Sequence, residues 1–312
     1  MAARMNTPLP LPTGKRGPCA VSLSRAADHW AGRFVAMACP CEVLIEAAPE
    51  ELARQVLETA AATAWRIERK FSRYRTDSIV HRINQSAGRG IAVDNETANL
   101  LDFAATLTQL SEGRFDITSG VLRKAWTFDG GNNVPSREQI ETLLAFVGWH
   151  KVEWVRPILK LQPGMQIDFG GIGKEYAVDA AVNLAATIAP GLSCLVNFGG
   201  DAGARNARRD GRPWRVGIEK PDRSGTASRI VQLLRGGLAT SGDSRRFVFR
   251  DGHRYSHILD ARTGWPVRKA PRSVTVAADT CTQAGTLTTL SMLQGKDAER
   301  LLKSSGVQYW LQ

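Results

Sequence analysis

The chain has 312 residues, 43% of them hydrophobic, with 41 basic against 30 acidic side chains and a formal net charge of +11. That length allows one large domain or two small ones, and no internal repeat points to a solenoid. The basic surplus suits anionic ligands, but Lys and Arg are scattered. They are densest at Arg205, Arg208, Arg209, Arg212 and at Arg245, Arg246, Arg250, with no aromatic-basic ladder, so a nucleic-acid groove is disfavoured.

In chain order, residues 1–28 begin MAARMNTPLPLPTGKRGP and read as a polar, Pro-rich flexible tail. The tail has no apolar signal-peptide core and no lipid-attachment pattern, so a cytoplasmic protein is expected. No later stretch approaches the ~18 apolar residues of a membrane span. A single domain is expected over 29–312. Residues 34–47 read as one strand, on the alternation of Val43, Ile45 and Ala47. An amphipathic helix is expected over 49–70, with Leu52, Val56, Ala60, Ala64 and Ile67 on one stripe. Thr76-Asp77-Ser78 reads as the cap of a helix ending near Asn84, and a further helix covers 95–112 until Gly113 stops it. Ser136 caps a helix over 137–146, followed by strands at 151–155 and 158–162. A helix over 172–189 starts on a Gly-rich turn. Strands follow at 195–198, 214–219, 228–234, 247–250 and 273–278. Helices at 283–293 and 298–304 and a strand at 307–311 close the chain. Without regular βαβ alternation, the fold class is α+β.

The five cysteines, Cys19, Cys39, Cys41, Cys194 and Cys281, are odd in number and lack framework spacing, which argues against a disulfide scaffold. They read as small buried apolar residues, the alternative being a redox or metal pair at Cys39-Pro40-Cys41.

Five stretches exceed what packing requires. Phe71-Ser72-Arg73-Tyr74-Arg75 reads either as a ligand edge or as a capping turn. Gly113-Arg114-Phe115-Asp116-Ile117-Thr118 reads equally as a helix cap or a binding segment. Residues 167–179, IDFGGIGKEYAVD, run from a strand through a Gly-rich turn into a helix. Free amides, the helix dipole and Lys174 there suit a phosphate or pyrophosphate, although the spacing is neither a P-loop nor the full dinucleotide fingerprint. Asn197-Phe198-Gly199-Gly200-Asp201 ends a strand in glycines that let backbone approach a ligand, or simply make a tight turn. The fifth pairs Thr240-Ser241-Gly242-Asp243 with 255–264, where His257, Asp260 and Arg262 crowd together as a catalytic or phosphate-handling group.

Taken in order from Phe34 to the C-terminus, the blocks FSRYR with DS and N, GRFDIT, DFGGIGK with YAVD, NFGGD, LATSGD and YSHILDARTG with PV resemble the ApbE family of FAD:protein FMN transferases. The resemblance implies one ApbE-type, T-fold-like α+β domain of two lobes, with flavin in the cleft. It implies FAD held by Ser72, Arg73, Tyr74, Asp116, Thr118, Asn197, Gly199, Gly200, Asp201, Thr240, Ser241 and Gly242, with Asp260 and Arg262 beside them. Lys174 and His257 would contact the diphosphate or the reacting hydroxyl. A magnesium ion would bridge the phosphates. A Ser or Thr of an acceptor flavoprotein, within a motif of Asp, a small residue, any residue, then Ser or Thr, would take the FMN and release AMP. Two alternatives share the site: an FAD pyrophosphatase yielding FMN and AMP, and an FAD-binding protein without turnover.

The chain departs from the family pattern twice. The last motif usually reads Ala-Asp-Ala-Leu-(small)-Thr, its Asp and Thr holding the metal. Here Thr289 is kept but Gly285 occupies the Asp position. The Lys is usually followed by Gly, but Glu175 stands there. The expected metal set is therefore the backbone of Gly173, the carboxylate of Glu175 and Thr289, with Glu175 replacing the lost Asp and Gly285 leaving it room. The alternative is that Glu175 only favours its helix N-terminus, by ~0.3–1 kcal/mol. Asp243, Asp260 and Asp279 are other oxygen donors to consider.

Overall fold

Period-two burial builds the sheet. In the computed structural model, which describes residues 20–312 other than Arg245, eight strands pair side by side. They are β1 (Ser22–Arg25), β2 (His29–Ala36), β3 (Cys39–Glu46), β4 (Cys194–Phe198), β5 (Asp201–Ala204), β6 (Gly236–Gly242), β7 (Ser273–Ala278) and β8 (Gln308–Leu311). Their spatial order is their chain order and every neighbouring pair is antiparallel. Cys41, Val43, Ile45, Cys194, Val196 and Phe198 face one apolar layer, while Leu44 and Leu195 face another.

The helices are α1 (Glu50–Phe71), α2 (Ile79–Asn84), α3 (Asn95–Leu110), α4 (Arg137–Leu144), α5 (Gly173–Ile188), α6 (Cys281–Leu293) and α7 (Ala298–Ser304). In α1, Glu50 and Glu51 open the first turn and Arg69 and Lys70 close the last, matching the helix dipole. Ala53, Val56, Ala60, Ala64 and Ile67 bury its apolar stripe in the layer that also holds α5 and α6. Ser78 caps α2 and Ser136 caps α4, the latter in a reciprocal capping box with Gln139. The opposite sheet face is covered by the hairpin of Trp214–Lys220 and Arg223–Leu233. A smaller apolar cluster of Val121, Leu122, Trp126, Ile140, Val147, Val248 and Ala261 joins α4, the 3-10 helix Ile117–Lys124 and the hairpin Phe247–Arg250/His253–Ser256. Among the described residues, no helix is long and apolar enough to cross a membrane.

The α+β class stands, but several boundaries move. The expected strand over 34–47 is a hairpin, because Met37 (φ 51) and Ala38 (φ 57) make a left-handed turn without the glycine or asparagine that usually announces one. Part of the expected tail over 1–28 is instead a strand: Val21 and Leu23 alternate with serines and pack on the core as β1 pairs with β2. Residues 1–19 of that tail, Cys19 among them, lie outside the described residues, as does Arg245 of the basic group. β5 and β6 carry no sequence signal for a strand because their small residues serve close packing. A Cβ on Gly203 would stand 3.0 Å from Val178 of α5, and one on Gly237 would overlap the backbone at Cys281 of α6.

Candidate active site

The Gly-rich loop enters α5 with no side chain capping it, and nothing lies within 4 Å of where a Cβ on Gly173 would sit. The positive end of the helix is thus open to an anion. Lys174, in the first turn, pairs with Asp201 at the start of β5. Asp201 is buried and its other oxygen accepts from Thr240 N at 3.3 Å. Burial works to lower the Lys174 pKa, but Asp201 and Glu175 outweigh it and raise it, so the ammonium persists. Thr240 bonds Thr275 at 2.8 Å. Ser241 meets Thr288 at 2.9 Å, and since Thr288 donates to Gly285 O at 2.9 Å, Ser241 is the donor to Thr288.

Glu175 follows Lys174 and turns inward. Its residue is 8% exposed, and its Oε2 is buried without a hydrogen-bond partner. Burial first, and Asp201 second, push its carboxyl up, while Lys174 opposes them. The side chain lies against the glycine of α6: a Cβ at position 285 would overlap Glu175 Cγ and stand 3.0 Å from Cδ and Oε1. Thr289, one helical turn beyond Gly285, is half-buried. The other carboxylates considered as donors are engaged or distant in character. Asp243 binds Arg254 and Arg272, Asp260 binds Arg262, and Asp279 is exposed. Among the described residues, no three His, Cys, Asp or Glu side chains gather as a metal cluster.

A second group forms around Asp168. Arg73 reaches Asp168 Oδ2 at 3.1 Å and Gly120 O at 2.9 Å, and Arg123 approaches the same carboxylate at 3.6 Å. Gly170 N donates to Asp168 Oδ1 at 2.9 Å, so this residue shapes the turn into α5. His257 is half-buried, its buried Nδ1 has no partner, and its ring meets the edge of Phe128 at 6.3 Å. Burial, then Arg246 and Arg123, lower its pKa to about 4, which leaves a neutral imidazole at neutral pH. Ser72 Oγ accepts from Tyr74 N at 3.2 Å, and the Tyr74 ring stands 80% exposed beside the Arg73 guanidinium. Sequence reasoning passed over Asp168 as a site residue although it stood within the Gly-rich stretch. Arg123 carried no signal at all.

The third group borders a cavity of about 730 Å³ lined by Gln109, Asp116, Trp149, His150 and Arg262 among others. Asp116 caps the 3-10 helix, accepting from Thr118 N and Oγ1 at 2.8 and 2.7 Å, and takes Trp149 N at 2.6 Å. Thr118 Oγ1 accepts from Gly148 N at 2.7 Å. Both side chains therefore hold the 148–149 turn. Asp260 and Arg262 pair at 2.7 Å. Elsewhere Asn197 Oδ1 accepts from Gly200 N at 2.9 Å, Gly199 (φ +66) packs on Cys39, and Gly242 lies against the backbone of Arg272. Eleven of the predicted residues thus fall into three groups. The first joins Lys174, Glu175, Asp201, Thr240 and Ser241, the second Arg73 and His257, and the third Asp116, Thr118, Asp260 and Arg262.

A family model described as the ApbE family matches residues 37–311. The FAD:protein FMN transferase of Vibrio cholerae serotype O1 is 33% identical over 237 residues, 73% of this chain and 70% of that protein. The protein of the same name from Escherichia coli K12 is 30% identical over 252 residues, covering 77% and 71%. In three dimensions the chain resembles the crystal structure of the ApbE protein from Thermotoga maritima, with a TM-score of 0.80, 32% identity and coverage of 91% and 94%. It also resembles the apo form of the Pseudomonas stutzeri flavinyl transferase ApbE, with a TM-score of 0.76, 30% identity and coverage of 92% of each chain.

Proposed function

The chain belongs to the ApbE family, and from that premise we propose that it transfers the FMN half of FAD to a Ser or Thr hydroxyl of an acceptor flavoprotein and releases AMP. The observation that carries this reading is the match, over more than two thirds of each chain, to relatives named for that transfer. The relatives' names speak of transfer to protein, so neither hydrolysis of FAD nor idle binding is favoured.

In this reading the acceptor oxygen forms a bond to the FMN phosphorus, and the bond from that phosphorus to the AMP oxygen breaks. The hydroxyl proton needs a base. His257 is the group suited to it, with a neutral ring and a buried Nδ1 that has no partner. Lys174 and the open end of α5 screen the negative charge on the departing AMP, and Lys174 is fixed before reaction by Asp201. Arg73, through Asp168, orients the loop that leads into α5. The segments around Ser72–Tyr74 and Thr240–Gly242 supply the flavin and ribose contacts.

Magnesium fits the residues present, because Glu175 offers a buried carboxylate oxygen with no protein partner. Glu175, the backbone of Gly173 and Thr289 would hold the ion, whose contribution when bound is to neutralise phosphate charge. The acceptor is expected to present Asp, a small residue, any residue, then Ser or Thr.

The test is co-expression with a flavoprotein carrying that motif, followed by mass spectrometry of the acceptor. A covalent FMN adduct on the motif hydroxyl is the expected result, with AMP formed in equal amount. AMP formed just as fast without acceptor, and no adduct with it, would overturn the proposal.

A further inference from the structure

Two features on facing helices fit each other. Glu175 on α5 is a buried carboxylate with one unpaired oxygen, and Gly285 on α6 leaves the space its side chain fills. A buried carboxyl oxygen without a partner is costly, and native proteins seldom keep one without a reason. Asp201, the other buried carboxylate of this group, already has its cation. Lys174 is directly paired to Asp201, not to Glu175. The unpartnered Oε2 is therefore the open ligand position of this group. Its hard oxygen, with the threonine hydroxyls of α6 close in sequence to Gly285, suits a hard divalent cation over a soft one. Thr286 Oγ1, next to Gly285, is also buried without a partner.

We propose that the cation-binding carboxylate of this chain is delivered by α5 and not by α6, with Glu175 as donor and Gly285 as the gap that admits it, so that a carboxylate at 175 and a side chain at 285 exclude each other. The inference deepens the transferase reading and rests on it for the ion's role. Its physical content is narrower: occupancy of one position forbids occupancy of the other. The pair is a reciprocal exchange, in which one carboxylate is present whichever helix carries it.

The experiment measures binding of Mn2+ by electron paramagnetic resonance, with and without ADP as a diphosphate that cannot transfer flavin. It uses the full chain, its E175Q, G285D and E175A variants, and the E175A/G285D double variant. Melting without metal reports whether each variant is folded. E175Q keeps the shape of the side chain, so it should fold and lose Mn2+ affinity by at least about tenfold, the lower end of what loss of a mere supporting partner costs a metal site. E175A should behave likewise. G285D adds a carboxylate and yet should not tighten Mn2+ binding, because the new side chain displaces Glu175. The double variant should regain affinity relative to E175A. Unchanged Mn2+ affinity in E175Q overturns the inference, and so does G285D binding Mn2+ more tightly than the unmodified chain. Failure of the unmodified chain to bind Mn2+ even with ADP also overturns it. These outcomes are separate from the fate of the transferase reading, which falls if FMN adducts never form while Mn2+ binds as expected.

Discussion

Glu96 and Glu175 both meet the first turn of α5, and their surroundings differ in kind. Glu96, at the start of α3, accepts from Arg66 at 2.7 and 2.9 Å, Lys70 at 2.6 Å and Tyr176 at 2.7 Å. The Arg66 bonds foremost, helped by Lys70 and Tyr176 against the effect of burial, hold its carboxyl down at about 2. The carboxylate thereby ties α1, α3 and α5 together. Glu175, one residue before Tyr176, turns into the core, has an unpaired oxygen and is shifted in the opposite direction. A carboxylate whose bonds are all made within the protein is a structural tie. One held in the core with a bond left open is kept at a cost to stability, which is how groups that wait for a ligand behave.

The largest expected effect separates chemistry from tie. Lys174→Ala should slow FMN transfer by about 10²–10³, the usual effect of removing a preorganised charge from such a site. Glu96→Gln should leave the initial rate of adduct formation within about threefold, since Glu96 touches no group assigned to the reaction. Equal losses in the two variants would erase the contrast.

Next in size is Gly285→Ala. The added methyl overlaps Glu175 and should destabilise the fold by about 1–3 kcal/mol, the usual cost of overpacking. In a Glu175→Ala background the same change should cost little. Denaturant unfolding of the four proteins reads the coupling directly, and additive costs would mean that the two positions do not compete for space.

Glu96→Gln should cost about 1–2 kcal/mol near pH 7, as charge-assisted bonds from three donors weaken. The sign with pH follows from the depressed carboxyl. In the folded chain it titrates at about 2 against an ordinary 4.5, so its contribution is complete above pH 4.5 and fades as pH falls toward 2. The gap between the variant and the unmodified protein should therefore narrow between pH 5 and pH 3 in urea titrations.

Smallest of all, Glu175→Gln in metal-free buffer should leave stability unchanged or raise it by up to about 1 kcal/mol, because it replaces a buried ionisable group that has an unmade bond. A loss larger than that would place Glu175 with Glu96 as a structural tie.

Sequence made the helices easy to see. Ser78, Ser136 and the alanine stripe of α1 are local signals, and local signals determine where a helix starts and which side it buries. The sheet was harder. Apart from Asp201 and Leu238, β5 and β6 are built from Ala, Gly, Thr and Ser because α5 and α6 press on them, a demand of tertiary packing that leaves no β-branched pattern behind. The hairpin turn at Met37 and Ala38 has no turn residue at all. At the site, Lys174 and Asp201 were named from separate motifs, and only the fold shows them paired. Asp116 and Thr118 look like ligand groups in sequence, yet their oxygens are occupied by the backbone of their own helix start and of Gly148 and Trp149. Asn84 is a similar case, its amide bonding both backbone groups of Ile167.

The strand order has a consequence for synthesis. β2 and β3 can close as a hairpin as soon as they leave the ribosome, but the free edge of β3 pairs with β4, which follows only after residues 47–193. At ~5–20 residues per second that interval lasts roughly 7–30 s. Throughout it, a strand edge bearing Cys41, Val43, Leu44 and Ile45 stands unpaired, a template for contact with other nascent chains. Of all the pairings in the eight-stranded sheet, this one leaves an edge waiting longest for its partner to be made.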